Sequence, residues 1–235
     1  MDYNNYFQNH YWEISDIQMR YYAQYFHRVL WDVLKNQDKT IRILEIWSGQ
    51  WKFLNYISSL GYVNYVWFEL DVDMTVFLRK QYPSFVFHST NVNDYLIENP
   101  ESFDIIFMSN VFEHLSVDEW KNMLKSIYLW MKSSGTFINI MPNAWSLFMS
   151  SYGRYNDITH KVLYTSASFN HILLDAGFKQ VMHKNVFFTH LNSIIDSFWR
   201  LFQKVSFFIL KYFLLLNGFP SDNILTFEIF TLAKK

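Results

Sequence analysis

The sequence predicts an α/β domain, a mostly parallel sheet with helices on both faces. Three observations carry that expectation: short apolar runs alternate with stretches of helical periodicity, glycine and proline punctuate the joins, and capping boxes open the helices. Ser15 followed by Gln18 is a capping box, and Met19, Tyr22, Phe26, Val29, Leu30 and Val33 continue it as an amphipathic helix that ends within Asn36 to Thr40. IRILEI is then a strand, Lys52 to Leu60 a helix closed by Gly61, and VNYVWFEL a second strand. Asp73 to Lys80 is helical before Pro83, FVFH is a third strand and FDIIFMS a fourth. Strand, helix, strand at this spacing means a parallel sheet.

Ser116 and Glu119 form a second capping box, opening a helix to about Met131. Gly135 precedes a fifth strand, TFINIM, which Pro142 stops. A polar loop covers 143–164, Ser166 to Ala176 is a helix with Gly177 in the C-terminal cap position, and FKQVMHKNVFF and ILTFEIFTLA are the last two strands. The expected organisation is a single domain: a helical cap at 1–38, a core at 39–190, a helical insertion at 191–221 and the last strand at 222–235.

Half of the 235 residues (51%) are apolar, enough to bury a sizeable core. Twenty basic side chains against twenty-one acidic ones leave a net charge of -1, so no field over the molecule favours nucleic acid, and no such partner is expected. With no cysteine there are no disulfides, thiolate metal sites or cysteine nucleophile. The segment MDYNNYFQNHYWEISD lacks the basic start and apolar run of a secretory signal. The longest apolar stretch, Val205 to Phe219, is interrupted by Lys211 and falls short of the roughly 20 residues that span a bilayer. A soluble or peripheral cytoplasmic protein is expected, its oligomeric state open.

In an open parallel sheet, ligands bind outside the carboxyl ends of the strands, and the first strand-to-helix turn holds much of a cofactor. Here that turn is Glu45-Ile46-Trp47-Ser48-Gly49-Gln50-Trp51, which with glycine at 47 and 51 would read E-x-G-x-G-x-G. The next strand ends in Glu69, a carboxylate able to accept hydrogen bonds from both hydroxyls of an adenosine ribose. Nicotinamide enzymes share these features, but no Tyr-x-x-x-Lys pair stands in a suitable helix. With FDIIFMSNVFEHL, a capped helix and then WMKSSGTFINIMPN, residues 40–190 resemble the class I S-adenosylmethionine-dependent methyltransferases. PNAWSLFMSSYGRYNDITHKVLYTSASFNHILLDAGF is similar to bacterial members that modify surface polysaccharides and sugars.

That resemblance implies a Rossmann-like sheet of seven strands with the last antiparallel, S-adenosylmethionine as cofactor, and O-methylation of a sugar hydroxyl or other small acceptor in surface-glycan biosynthesis. Glu45, Ser48, Gly49 and Gln50 would line the methionine end of the cofactor, Glu69 would hold the ribose and Leu70 would flank the adenine. Asn91, beside Val92 and in place of the family's aspartate, can accept a hydrogen bond from the adenine amino group; Ser109, Asn110 and Val111 would form the floor. Trp47, Trp51 and Trp67 stand where the family places glycine. Overpacking costs about 1 to 3 kcal/mol per site, and a left-handed backbone at 47 or 51 adds to it. Weakened cofactor binding is the expectation, and a catalytically inactive scaffold of the same fold is the alternative.

Methyl transfer to oxygen needs an aligned acceptor and a group that takes its proton. In the loop after the fifth strand, Asp157 can orient His160 as general base, while Arg154 can bind a phosphate or carboxylate on the acceptor; a polar surface loop explains the same residues. His114, beside Glu113, is a further candidate base in a segment that the resemblance makes structural. The eight histidines form no close-spaced ligand pattern with carboxylates, so no metal is expected. In the insertion, Arg200, Lys204 and Lys211 share one narrow helical arc opposite Phe198, Leu201, Phe202, Val205, Phe208, Ile209 and Tyr212. Residues 198–216 thus suit peripheral contact with the inner face of a membrane, or packing on a sheet edge or a second copy.

Overall fold

The computed structural model describes residues 14–47, 49–89, 92, 100–146, 149–187, 189–219 and 223–235. Helix α1 (Asp16–Leu34) opens on the expected capping box: the Ser15 amide donates to Gln18 Oε1 at 2.9 Å and the Gln18 amide to Ser15 Oγ at 3.3 Å. Its buried stripe is Tyr25, Phe26, Leu30 and Leu34. The elements then run β1 (Ile43–Ile46), α2 (Lys52–Ser59), β2 (Tyr65–Phe68), α3 (Val72–Gln81), β3 (Val86–His88), β4 (Phe103–Ser109), α4 (Val117–Trp130) and β5 (Met131–Pro142). After them come α5 (Ser166–Asp175), β6 (Gln180–Asn185), α6 (Ser193–Leu216) and β7 (Glu228–Lys234).

The seven strands lie in the order β3-β2-β1-β4-β5-β7-β6, with β7 antiparallel to both of its neighbours and the other pairs parallel. Ile43 sits between Tyr65 and Ile105, and this register carries Leu44 and Ile46 to one face and Ile43 to the other. Leu44, Ile46, Val66, Phe68, Ile106 and Met108 join the cluster under α4 and α5. Ile43, Tyr65, Trp67, Ile105 and Phe107 join the cluster under α1, α2 and α3. Both faces are buried, which is why these central strands read as continuous apolar runs.

Two expectations are corrected. The fifth strand starts at Met131, directly after α4, because Met131 already pairs with Phe103; Lys132 to Gly135 bulge out before the ladder resumes at Ile105 and Thr136. A Cβ at Gly135 would stand 2.9 Å from the Lys132 carbonyl oxygen and 3.1 Å from that of Phe103, so the residue fits as glycine alone.

The second correction concerns α6, whose basic arc faces the body of the protein. Asp196, wholly buried, pairs with Arg28 of α1 at 2.5 Å and with Arg200 at 2.9 Å, and accepts from the His190 amide at 2.7 Å. Lys211 donates to Asn223 at 2.6 Å, and Lys204 and Lys211 line a cleft of about 200 Å³ with Asn185 and Asn223. The apolar side points outward, with Phe198 76% exposed, Phe208 61% and Leu216 86%. No described helix is long and apolar enough to cross a membrane.

Candidate active site

The carboxyl ends of the parallel strands carry two groups of side chains. The first is the turn after β1. The Trp47 amide donates to the Phe68 carbonyl at 2.9 Å, tying the ends of β1 and β2 together. Trp47 has φ 51° and Gly49 has φ 59°, so the turn twice enters the left-handed region, once at an indole. The Trp47 ring packs on the cluster that includes Val92, Met108 and Val111, and its Nε1 is buried without a partner among the described residues. Trp51 has an ordinary φ of -63°, opens α2 without a side-chain cap, and lays its ring 5.2 Å from that of Phe77. Trp67 is 1% exposed, inside the core, with its ring edge-on to Phe87.

Glu69 ends β2. Its Oε1 accepts from the Leu70 amide at 2.7 Å, while Oε2 is buried with no partner among the described residues. Burial raises its pKa, opposed by hydrogen bonds from the amides of Leu70, Asp71 and Gly49. Leu70 is exposed beside it, Gln50 is half-buried, Val92 is wholly buried, and Val111 is 5% exposed. Asn110, at φ 54°, donates its amide to the Ile140 carbonyl at 2.9 Å, and its side chain lies 3.5 Å from Ser109 Oγ. Glu45 departs from the expected arrangement: it is wholly buried on the α1 side of β1 and accepts a hydrogen bond from the Tyr65 hydroxyl, so its carboxylate points into the core. Ser48 and Asn91 lie outside the described residues.

The second group joins a 3₁₀ turn after β4 (Phe112–His114) to the loop after β5. The amides of Lys161 and Val162 donate to the Glu113 carbonyl at 2.6 and 3.2 Å. The ring centroids of His114 and His160 stand 4.8 Å apart. Thr159 Oγ1 lies 2.6 Å from Asp157 Oδ1 and 2.7 Å from His114 Nδ1. An ionised carboxylate only accepts, so the threonine proton goes to Asp157 and His114 Nδ1 must donate to Thr159. His160 Nδ1 lies 2.7 Å from the Gly153 carbonyl and must donate there. In its neutral form each imidazole then carries its lone pair on Nε2.

Asp157 has a different task from the one expected of it. Its oxygen is 3.8 Å from His160 Nε2, and its short contacts go to the Thr159 amide and hydroxyl, through which it orients His114. Burial works against the Asp157 charge, but the Thr159 bonds outweigh it and hold the pKa down. Burial, followed by the charge of His160, lowers the pKa of His114. Glu113 is 1% exposed, neither of its carboxylate oxygens finds a partner among the described residues, and burial pushes its pKa up to about 8. Arg154 places its guanidinium over the exposed ring of Tyr155 at 5.8 Å. Sequence reasoning named Asp157, His114 and His160 but missed their convergence and the Thr159 link, because 46 residues separate the two imidazoles. The available signal was topological: β4 and β5 are parallel neighbours, so the loops at their carboxyl ends adjoin.

A family model described as a methyltransferase domain matches residues 12–183. The chain belongs to that family. The seven-stranded sheet of this methyltransferase-family chain agrees with solved structures. A SAM-dependent methyltransferase from Archaeoglobus fulgidus superposes with a TM-score of 0.62 at 20% identity, over 92% of this chain and 100% of that one. Phosphoethanolamine N-methyltransferase 2 of Haemonchus contortus, in complex with S-adenosyl-L-methionine, gives 0.60 at 17% identity over 100% of this chain and 60% of that one. The 1,6-didemethyltoxoflavin-N1-methyltransferase of Burkholderia thailandensis, with S-adenosylhomocysteine bound, gives 0.56 at 14% identity over 92% and 77%. No curated protein matches the sequence. In this methyltransferase-family chain, the β1 turn and the His114–His160 group occupy the same end of the sheet, on either side of β4.

Proposed function

We propose that the chain is an S-adenosylmethionine-dependent O-methyltransferase for a sugar or other small acceptor in surface-glycan synthesis, with cofactor affinity reduced by the indoles of its β1 turn. The observation that carries the reading is the carboxylate of Glu69 at the end of β2, held by the Leu70 and Gly49 amides with its buried Oε2 lacking a side-chain partner among the described residues, where the fold would bring a ribose. Gly49 and Gln50 with Ser48 would hold the methionine end, Glu69 the ribose, Leu70 and Asn91 the adenine, and Ser109 to Val111 the floor. The inward turn of Glu45 removes it from that set. The bound cofactor supplies an electrophilic methyl group. The acceptor hydroxyl lies at the end of β4 beside His114 and His160, and Arg154 meets an anionic group on the acceptor.

Titration calorimetry of the full chain with S-adenosylmethionine and S-adenosylhomocysteine tests this without knowing the acceptor. Binding in the micromolar range is the expected result. A folded chain with no affinity for either compound would overturn the enzyme reading and leave the inactive scaffold.

The acceptor class extends to lipid-linked glycans through α6. At 100° per residue, its exposed apolar side chains from Ile194 to Leu216 sweep an arc of about 200° that carries no charge. A dimeric helical seam needs a much narrower stripe. An arc this wide suits the fluid apolar region just below lipid headgroups, with Lys204 at its rim and the aromatic rings of Trp199 and Tyr212 near the interface. On this reading the protein works as a peripheral one on the cytoplasmic face of the membrane. In flotation with vesicles of phosphatidylglycerol and phosphatidylcholine, the chain is expected to rise with the lipid, and Phe198→Glu with Phe208→Glu to stay below. Wild-type protein left in the lipid-free fraction, or a stable dimer by sedimentation, would show that α6 docks elsewhere.

A further inference from the structure

We propose that Glu113, His114 and His160 form a site for one divalent transition-metal ion of the zinc, cobalt or manganese class at the carboxyl end of β4. One carboxylate oxygen and one nitrogen of each imidazole already lie within 4.8 Å of one another. Ligands on a sphere of about 2.0 to 2.1 Å radius stand roughly 3.3 Å apart in tetrahedral geometry, so side-chain rotations of about 1 Å close the set.

Three features separate this group from accidental proximity. Glu113 is buried with both carboxyl oxygens unpartnered among the described residues, so it presents ligand atoms to something those residues do not supply. Each imidazole is locked by its Nδ1, His114 through Thr159 to the Asp157 carboxylate and His160 to the Gly153 carbonyl. Metal-ligating histidines are oriented in the same manner, the second nitrogen donating to a carbonyl or a carboxylate relay. The two contributing loops are also fastened to each other by the Lys161 and Val162 amides on the Glu113 carbonyl, so the donors are held together before any ion arrives. Two imidazoles and one carboxylate suit zinc and its neighbours and leave coordination positions open. The open positions would take the acceptor oxygen and ease the loss of its proton; that last step rests on the methyltransferase reading, and the uptake of the ion does not.

The test uses the full chain stripped with chelator and titrated with Zn²⁺, then separately with Co²⁺, in the absence of cofactor and acceptor. One ion per chain is expected, with a visible cobalt absorption band. Glu113→Gln, His114→Gln and His160→Gln should each weaken uptake by about tenfold or more, while His183→Gln and His190→Gln leave it unchanged. Circular dichroism checks that each variant is folded, and His160→Gln, at a partly exposed position, carries the test if Glu113→Gln misfolds. A folded wild-type chain that takes up neither ion overturns the proposal. So does uptake indifferent to the three substitutions, which would leave the Glu113 carboxylate to the buried Tyr164 hydroxyl, whose pKa its charge raises. Ion uptake in a chain that transfers no methyl group supports the site and counts only against the reading of the acceptor.

Discussion

Trp47→Gly is expected to tighten S-adenosylmethionine binding about tenfold, equivalent to about 1.4 kcal/mol. The residue sits at φ 51°, where a side chain costs roughly 1 to 2 kcal/mol and glycine costs nothing. Relief of that strain acts alike on free and bound protein and so leaves affinity unchanged; a ligand shifts only what differs between the two states. The gain comes from the indole itself, which packs over the cluster holding Val92, Met108 and Val111, with a buried Nε1 that has no acceptor among the described residues. A nucleoside entering along the turn has to move that ring. Trp51→Gly is the internal control: its φ of -63° lies outside the left-handed region and its ring rests on Phe77. Calorimetry on the three proteins reads the result directly. Equal affinities for wild type and Trp47→Gly would show that the turn admits the ligand with the indole in place.

Trp67→Ala is expected to lower stability by about 3 to 5 kcal/mol. For a chain of this size that corresponds to a fall in Tm of roughly 6 to 20 °C. Trp67 lies between Val66 and Phe68 in the middle of β2, 1% exposed, sharing a face with Tyr65, Ile105 and Phe107 and edge-on to Phe87. Removing it opens a cavity against strands that cannot close, because parallel partners fix β2 on both sides. Trp67→Phe should cost far less, since it keeps an aromatic ring and deletes an Nε1 that is buried without a partner. Urea denaturation of the three proteins checks the series, and a loss below about 1 kcal/mol for Trp67→Ala would show that this face repacks freely.

The three tryptophans also mark the limits of reading the chain as a sequence. Pattern alone placed them all at positions where the resembling family has glycine and expected each to crowd the fold. One is strained, one is relaxed on a neighbouring ring, and one is core. Crowding depends on φ and on what lies opposite, and neither is written in the residue type. Strand and helix identities were legible because burial on both faces leaves runs such as ILEI and FDIIFMS, and because Ser15–Gln18 and Ser116–Glu119 announce helix starts. The start of β5 was not, since a register shift carries no compositional mark. At the site, Glu69 was legible by its place after β2. Glu45 was misread because alternation along a four-residue strand decided its side, and the open end of the sheet did not. On α6 the helical wheel separated the two faces correctly but could not say which one the buried Asp196, held by Arg28, would turn inward.

The path of the chain at the far edge of the sheet has a consequence for how such a protein can change. β6 and β7 are antiparallel neighbours, a pairing that a tight turn of about two residues can join. Everything from Asn185 to Glu228, the whole of α6 included, is an excursion that the topology does not require. It leaves β6 and enters β7 at the carboxyl end of the sheet, two strands from β4, and its last residues return to the core there: Ile224 and Thr226 accept hydrogen bonds from the Asn143 side chain, and Phe227 accepts from the Asn143 amide. Lengthening, trimming or swapping this segment leaves every strand pairing intact. The outward face of α6 can thus be rewritten by descent or by engineering without undoing a strand pairing, whereas Ile224 to Phe227 are fixed by their bonds to Asn143.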